Sequence, residues 1–184
     1  MKRYLFISKN SFGYRPCDRE YLLGLLRCCA KTPNIRIASR HIEIEVWDPD
    51  YPTVVTLIRG VVGEIILWRS LGEEMVQHYT ADMLEILRKF VELFNEERFW
   101  EAHEALEPLW RSTRERALQG LILVAASFVK IQESKFGEFK VLARKALTML
   151  NSMSRYICID INRVKEALKI SMETFSPFKI TCDE

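Results

Sequence analysis

The sequence lacks an excess of charge of either sign. Its 184 residues include 27 Lys and Arg against 25 Asp and Glu, which gives a formal net charge of +2. Surfaces that bind nucleic acid or an anionic membrane are usually rich in Lys and Arg, and neither half of this chain shows such an excess. The composition therefore argues against nucleic acid and membranes as partners.

A long apolar run is also missing. The most apolar stretch, residues 121–129 (LILVAASFV), is far shorter than the ~20 residues that a membrane-spanning helix needs. The N-terminal segment MKRYLFISKN carries two early cations, but its apolar run is too short for a secretory signal. We therefore expect a cytoplasmic protein without a membrane segment.

The five cysteines lack the spacing of a metal site or a redox motif. No C-x-x-C pair occurs and the number is odd, which argues against a zinc ribbon and against a disulfide framework. In a cytoplasmic protein we expect such thiols to be reduced and mostly buried. They are Cys17, Cys28, Cys29, Cys158 and Cys182.

Signatures of common cofactor and nucleophile sites are absent as well. The chain contains no G-x-G-x-x-G, Walker A or G-x-S-x-G string. We therefore predict that the protein works without a cofactor.

What the first 74 residues do contain is an alternation of strand and helix patterns. Residues 2–8 (KRYLFIS), 41–47 (HIEIEVW) and 63–70 (GEIILWRS) read as strands, and Asp18 can cap a helix of leucine-rich spacing. A strand around Ile35 and a turn near residue 39 complete the first half of the pattern. The order β-α-β-β-α-β predicts a small ferredoxin-like plait.

The segment DPDYPTVVTLIRG is ambiguous. Its β-branched residues, at positions 52–59, would suit a strand. Asp50, Pro52 and Gly60 are instead placed like an N-cap, a first-turn proline and a C-cap, so we favour a helix.

After Gly72 the apolar residues recur with a period of 3.6, which is typical of helices. The segment RALQGLILVAASFVKIQ is apolar on nearly every side and should be the central helix. We predict an α+β protein in two parts, with the plait in residues 1–74 and an all-α bundle of about five helices in residues 75–184. The predicted helices run from a cap at Thr80 to Asn95, from Phe99 to about Arg111, from Arg116 to Gln132, from Phe136 to about Tyr156 and from Asn162 to about Phe175.

Polar and aromatic residues are concentrated in FWEAHEALEPLW, residues 99–110. At 100° per residue its carboxylates do not converge, because Glu101 lies nearly opposite the apolar stripe and Glu104 is far round from it. Only His103 and Glu107, four residues apart, share an environment at the edge of the stripe. This pair is the alternative metal site, although it forms H-E-x-x-E and not the H-E-x-x-H of a zinc protease.

Two glutamines suggest a structural role for the same pair. Gln132 falls within the apolar stripe of the central helix, and Gln119 lies toward its edge. A buried amide without a partner costs ~1–3 kcal/mol. We therefore predict a polar seam in which both glutamines meet His103 and Glu107 across two helices.

The string FNEERFWEAHEALEPLW, followed by LQGLILVAASF, resembles domain-of-unknown-function family 309 over about residues 80–150. The resemblance implies an all-α fold of short helices and implies no activity. Pro108 departs from the family pattern and could kink the helix. The positions that fit the pattern are Asn95, Glu101, His103, Glu104, Glu107, Trp110, Gln119 and Gly120.

The predicted sheet raises a separate possibility. If Leu5, Ile7, Ile42, Ile44, Ile65 and Leu67 face the helices, the other face carries aromatic side chains that would suit single-stranded RNA. Glu43 and Glu45 would share that face and repel phosphates. We therefore favour an interface with another domain, with a second copy of the chain in a homodimer, or with a different protein partner. The candidate interface residues are Tyr4, Phe6, Trp47 and Trp68.

Two functional hypotheses remain. The first is a non-catalytic binding or assembly protein in which the His103 cluster is structural. The second is a small enzyme, or a metal or small-ligand site, that uses His103 as base or ligand with Glu104 or Glu107 in support.

Overall fold

The computed structural model describes residues 2–71 and 82–183. It is an α+β protein, as predicted, with an N-terminal four-stranded antiparallel sheet and seven α-helices within these ranges. The chain divides into two compact units, one of Met1–Gln77 with Gln132–Ser134 and the other of His78–Ile131 with Lys135–Glu184. In chain order the elements are β1 (Arg3–Lys9), α1 (Arg19–Arg27), β2 (Lys31–Ile37), β3 (His41–Trp47), α2 (Tyr51–Val61), β4 (Ile65–Leu71), α3 (Met83–Asn95), α4 (Phe99–Thr113), α5 (Arg116–Gln132), α6 (Phe136–Leu150), β5 (Arg155–Tyr156), β6 (Ile159–Asp160) and α7 (Ile161–Thr174).

The sheet has the strand order β2-β3-β1-β4, and each neighbouring pair is antiparallel. Residues paired directly across two strands point to the same face of a sheet. Phe6 pairs with Ile44 of β3 and with Trp68 of β4, so these three residues share a face. That face packs against α1 and α2 in a core that includes Phe6, Leu22, Leu26, Ile35, Ile42, Ile44, Val54 and Ile58.

The predicted orientation of β1 was therefore wrong. Phe6 faces the helices with Ile44, and Tyr4 packs against the same core, whereas Leu5 and Ile7 point to the other face. Residues 5–8 are all buried, because both faces of β1 are covered. A strand buried on both faces has no alternation of apolar and polar residues from which its orientation could be read.

The ambiguous segment forms helix α2, as favoured. Asp50 occupies the N-cap position and Pro52 lies in the first turn. The expected C-cap was wrong, because the helix continues through Gly60 to Val61. The glycine with a positive φ in this region is Gly63, at 144°. A Cβ at this residue would lie 2.5 Å from the Lys9 carbonyl oxygen.

Helices α3 to α7 pack around a separate apolar core. Phe128 of α5 lies at its centre, with ring centroids 5.1 Å from Phe99, 5.5 Å from Phe139 and 5.6 Å from Phe94. Aromatic rings at these distances add ~0.5–1.5 kcal/mol per pair beyond the area they bury. Buried members of the core include Leu87, Phe90, Leu106, Leu118, Leu121, Ala125, Ala143, Leu150, Ile161 and Leu168.

Two helix boundaries differ from expectation. The predicted cap Thr80 lies outside the described residues, and Asp82 caps α3 by accepting a hydrogen bond from the Leu84 amide. Helix α6 ends at Leu150, not near Tyr156, because the polar sequence NSMS interrupts it and residues 155–160 turn back as the short strands β5 and β6.

The cysteines also differ from expectation. Cys158 and Cys182 form a disulfide, since the C-terminal segment returns to pair beside β6. Cys17, Cys28 and Cys29 are free but exposed, not buried. Neither fact could be read from spacing, because the disulfide depends on where the chain end folds back.

None of the described helices is both long and apolar enough to cross a membrane.

Candidate functional site

The predicted polar cluster lies on and beside α4. A turn with Glu97 at a φ of 63° precedes the helix. Arg98 donates two hydrogen bonds of 2.8 Å to the carboxylate of Glu101, which is buried. This paired geometry fixes the first turn of α4, so Glu101 is held in a structural contact.

Asn95 is also held in a structural contact. Its side-chain amide donates to the carbonyl oxygen of Ile180 at 2.8 Å, and its oxygen accepts from the Ile180 amide at 2.9 Å. The residue thus ties the C-terminal segment to the end of α3.

His103, Glu107 and Arg111 follow one another along α4 at intervals of four residues, so they form a row on one side of the helix. Glu107 forms an ion pair of 3.0 Å with Arg111. Burial lowers the pKa of His103, the Arg111 charge lowers it further and the Glu107 charge opposes both. The imidazole is therefore neutral near pH 7, where it can accept as well as donate a hydrogen bond.

The other predicted members are spread along α4 and α5. Glu104 is half-buried, and the Trp110 ring has the Arg114 guanidinium 4.8 Å from its centroid. Gln119 and the buried Gln132 lie near opposite ends of the 17-residue helix α5. They are ~20 Å apart along the axis, so one pair of side chains a turn apart on α4 cannot meet both. The predicted cluster is therefore not a single site.

The row of His103, Glu107 and Arg111 offers few possible metal ligands. The residues that the structure describes contain no group of three or more His, Cys, Asp and Glu side chains that could hold an ion. The alternative site would consist of His103 and Glu107 alone, and Glu107 is already paired with Arg111.

A second polar cluster, in the sheet, was not predicted. Arg36 of β2 is paired directly with Glu43 of β3, and their side chains form a nearly fully buried ion pair. His41 Nε2 lies 3.8 Å from the Glu43 carboxylate. Burial acts to raise the pKa of Glu43, but the Arg36 charge, the hydrogen bond from Arg36 and the nearby His41 imidazole outweigh it, so the pKa is lowered.

Sequence reasoning placed Glu43 on an exposed face and so missed this cluster. The pairing of Arg36 with Glu43 could have been predicted from the register of the β2–β3 hairpin. With a two-residue turn at residues 39–40, a residue-by-residue register sets Arg36 opposite Glu43, and opposite charges at paired positions stabilise a sheet.

The four predicted interface residues do not share one face, and that grouping was wrong. Tyr4, Phe6 and Trp68 lie on the helix-covered face, where Tyr51 of α2 contacts Tyr4 at 5.4 Å and Trp68 at 5.2 Å between ring centroids. Trp47 points to the opposite face and donates to Glu45 at 3.3 Å. The physical reasons are the orientation of β1, which reverses Tyr4 and Phe6, and the bulge between Ile65 and Leu67, which puts Trp68 on the same face as Ile65.

Strand β4 nevertheless exposes apolar side chains. Ile66, Leu67 and Trp68 are 60%, 41% and 52% exposed. A bulge between the β1 pairings of Ile65 and Leu67 displaces Ile66 from the regular alternation. Because β4 is at the edge of the sheet, these side chains border an edge without a further strand among the described residues.

The comparison with family models matches residues 87–141, which run from α3 into α6 and contain the α4 row. The matching family model is described as "Domain of unknown function (DUF309)", and the match covers less than a third of the chain. The chain matches no curated protein and no solved structure. The match of residues 87–141 to this family model confirms the resemblance drawn from the sequence and leaves the function uncharacterised.

Proposed function

We propose that the protein is a non-catalytic assembly module in which two copies join edge to edge through β4. The supporting observation is the run of exposed apolar side chains at Ile66, Leu67 and Trp68 on an edge strand. An edge strand offers backbone N–H and C=O groups to another strand, and natural proteins usually protect such edges with charges, proline or a cover.

The two edges of the sheet differ in this respect. β2 contains Pro33, which has no N–H and weakens pairing at that edge. β4 contains no proline and one charged residue, Arg69. The contrast favours β4 as the edge that pairs.

The β4 strand of a second copy of the chain can pair with β4. A two-fold axis at Trp68 would place each Trp68 opposite its counterpart and each Arg69 opposite a Leu67. This register forms an aromatic cross-strand pair and keeps the two Arg69 side chains from directly opposing each other. The small net charge of the chain adds little long-range repulsion between copies.

The test is the mass of the protein in solution, measured by light scattering after size exclusion. We expect a dimer for the wild type and a monomer for Leu67→Lys, because lysine places a charge in the centre of the joined strands. The matched control is Ile170→Lys on α7 of the helical unit, where the side chain is 64% exposed. This control should remain dimeric.

A monomeric wild type at every concentration would overturn the proposal. A dimer that survives Leu67→Lys, or one that Ile170→Lys also dissociates, would show that β4 is not the contact.

We also propose that the first unit is a ferredoxin-like plait, with the domain boundary between residues 74 and 75. The element order β-α-β-β-α-β and the antiparallel strand order β2-β3-β1-β4 support the plait. The change from the sheet core to a separate helical core supports a division in this region.

In this proposal His103 has a structural role at the edge of the helical core. Its half-buried position, its neutral imidazole and its row with Glu107 and Arg111 support this role. The alternative, a metal or small-ligand site or a small enzyme centred on His103, Glu104 and Glu107, is supported by the same neutral imidazole. Elemental analysis of the purified protein separates the two, since a stoichiometric metal lost in His103→Ala would favour the alternative.

A cytoplasmic location stays a prediction. The three exposed free thiols support a reducing compartment, whereas the Cys158–Cys182 disulfide is more typical of an oxidising one.

A further inference from the structure

We propose that Cys28 and Cys29 form a thiol–disulfide exchange site for small anionic disulfides of the glutathione disulfide class. The reaction closes a disulfide between these two neighbouring residues. This inference does not depend on the assembly proposed above.

The geometry of the two thiols carries the proposal. Adjacent residues inside a helix point ~100° apart, but α1 ends at Arg27 and Cys28 is its C-cap. The two sulfur atoms consequently lie 3.3 Å apart, and both residues are exposed. Cys28 also donates to the Leu25 carbonyl oxygen at 2.9 Å, which orients its side chain at the helix end.

A shallow, open cavity with two cations, Arg27 and Lys31, in its lining adjoins Cys29. Its volume is about 610 Å³, and Cys29 is part of its lining. The Arg27 guanidinium donates to the Thr32 carbonyl oxygen at 3.0 Å, which holds it in the lining of this cavity. The positive charge of Arg27 and Lys31 attracts a carboxylate-bearing disulfide. The lining is Arg27, Cys29, Ala30, Lys31, Thr32, Pro33 and Trp47.

The exchange proceeds in two balanced steps. The Cys28 thiolate attacks one sulfur of the small disulfide, which forms a mixed disulfide and releases one small thiolate that takes up a proton. The Cys29 thiolate then attacks the Cys28 sulfur and releases the second small thiol. Two protein thiols are oxidised, and one small disulfide is reduced to two thiols.

The order of the two cysteines follows from their contact. The hydrogen bond with Cys28 raises the pKa of Cys29, and the Cys28 charge and burial add to this effect. The raised pKa of Cys29 disfavours its thiolate, so we assign the first attack to Cys28 and the resolving step to Cys29.

The product is readily reversible. Adjacent Cα atoms are ~3.8 Å apart, whereas disulfides usually span ~4.4–6.8 Å, so the closed ring is strained and easily reduced. Cys29 and Ala30 both donate backbone hydrogen bonds to the Leu26 carbonyl and both line the cavity. Ring closure therefore changes the cavity wall.

The test is reaction of the full chain with glutathione disulfide under anaerobic conditions, followed by alkylation and tryptic mapping. Cleavage after Arg27 and Lys31 isolates residues 28–31 with both cysteines. We expect this peptide to lose two hydrogens and carry no glutathione. Cys29→Ser should instead accumulate one glutathione on Cys28. Cys17, which is exposed without a second thiol, is the internal control.

The contribution of the cavity has its own test. Lys31→Glu should slow the reaction with glutathione disulfide and accelerate that with the dication cystamine, by roughly threefold each, as expected for a charge reversal near the surface. Lys31 is chosen because Arg27 also holds the turn.

Either of two results would overturn the proposal. One is a wild-type peptide that retains glutathione or stays fully alkylated when Cys17 has reacted. The other is Lys31→Glu with an unchanged ratio of the two rates, which would remove the cavity from the site.

Discussion

Different kinds of buried interaction stabilise the two units of the molecule. The sheet unit buries an ion pair, Arg36 with Glu43, at positions that face each other in a hairpin. The helical unit buries a set of phenylalanine rings around Phe128, while ion pairs such as Glu107 with Arg111 lie nearer the surface.

The buried ion pair and the ring cluster differ in how they exclude a wrong arrangement of the chain. A slip of β2 against β3 would leave a buried charge without its partner, which costs several kcal/mol, so the ion pair penalises a wrong register. The ring cluster has no such penalty and depends on complementary shape. We therefore expect the sheet unit to respond to pH and the helical unit to respond to changes in side-chain volume.

The largest effect should come from the ring cluster. Phe128→Ala removes a ring that contacts Phe94, Phe99 and Phe139, and should lower the free energy of unfolding by ~4 kcal/mol in denaturant titration. Phe136→Ala is the control, since that ring is 37% exposed, and should cost ~1 kcal/mol. Equal losses would mean that the core is not centred on Phe128.

Loss of the buried charge should be the next largest effect. Glu43→Gln removes the negative charge that faces the buried Arg36 guanidinium and should cost ~3 kcal/mol. Because the folded pKa of Glu43 is lowered from 4.5, its stabilisation is complete above pH 4.5 and is lost as the pH falls through the folded pKa. Acid titrations should therefore show a steeper loss for the wild type than for Glu43→Gln, and parallel curves would contradict this role.

Close packing of α5 on α6 gives a third prediction. A Cβ at Gly120 would lie 2.5 Å from Leu150 Cδ2, so Gly120→Ala should cost ~2 kcal/mol. Gly24 of α1 has open space, and Gly24→Ala should stabilise by ~0.5–1 kcal/mol. Thermal melts of the two variants should move in opposite directions, and melts that move together would show that contact with Leu150 is unimportant.

His103 should give the smallest effect. His103→Ala should lower the free energy of unfolding by ~1 kcal/mol, because a half-buried side chain in the polar row is lost. The folded pKa is below 6.5, so the wild type is stabilised above pH 6.5 and loses this contribution as the pH falls through the folded pKa. His103→Gln should flatten that part of the pH profile, and a variant that melts like the wild type at every pH would exclude the structural role.

Sequence reasoning succeeded where one periodic signal dominated. Helix α5 runs from Arg116 to Gln132 as predicted, and α2 begins at its Asp50 cap. It failed where the outcome depended on a distant partner. The side of β1 is set by pairing with β3, and the Cys158–Cys182 disulfide is set by the return of the chain end.

The candidate site shows the same limit. The spacing of His103 and Glu107 on one side of α4 followed from helical geometry. The seam with both Gln119 and Gln132 failed, because the length of α5 separates them. The Arg36–Glu43 pair was missed, since its recognition required the register of a hairpin and not the pattern of either strand.

The most direct test of the proposed assembly is hydrogen–deuterium exchange of β4 at low and high protein concentration. Amides of residues 65–71 that face away from β1 should exchange rapidly in dilute protein and become protected as the concentration rises, while those of β2 stay unchanged. Protection of β4 that does not depend on concentration, or its complete absence at high concentration, would contradict edge-to-edge pairing of two copies.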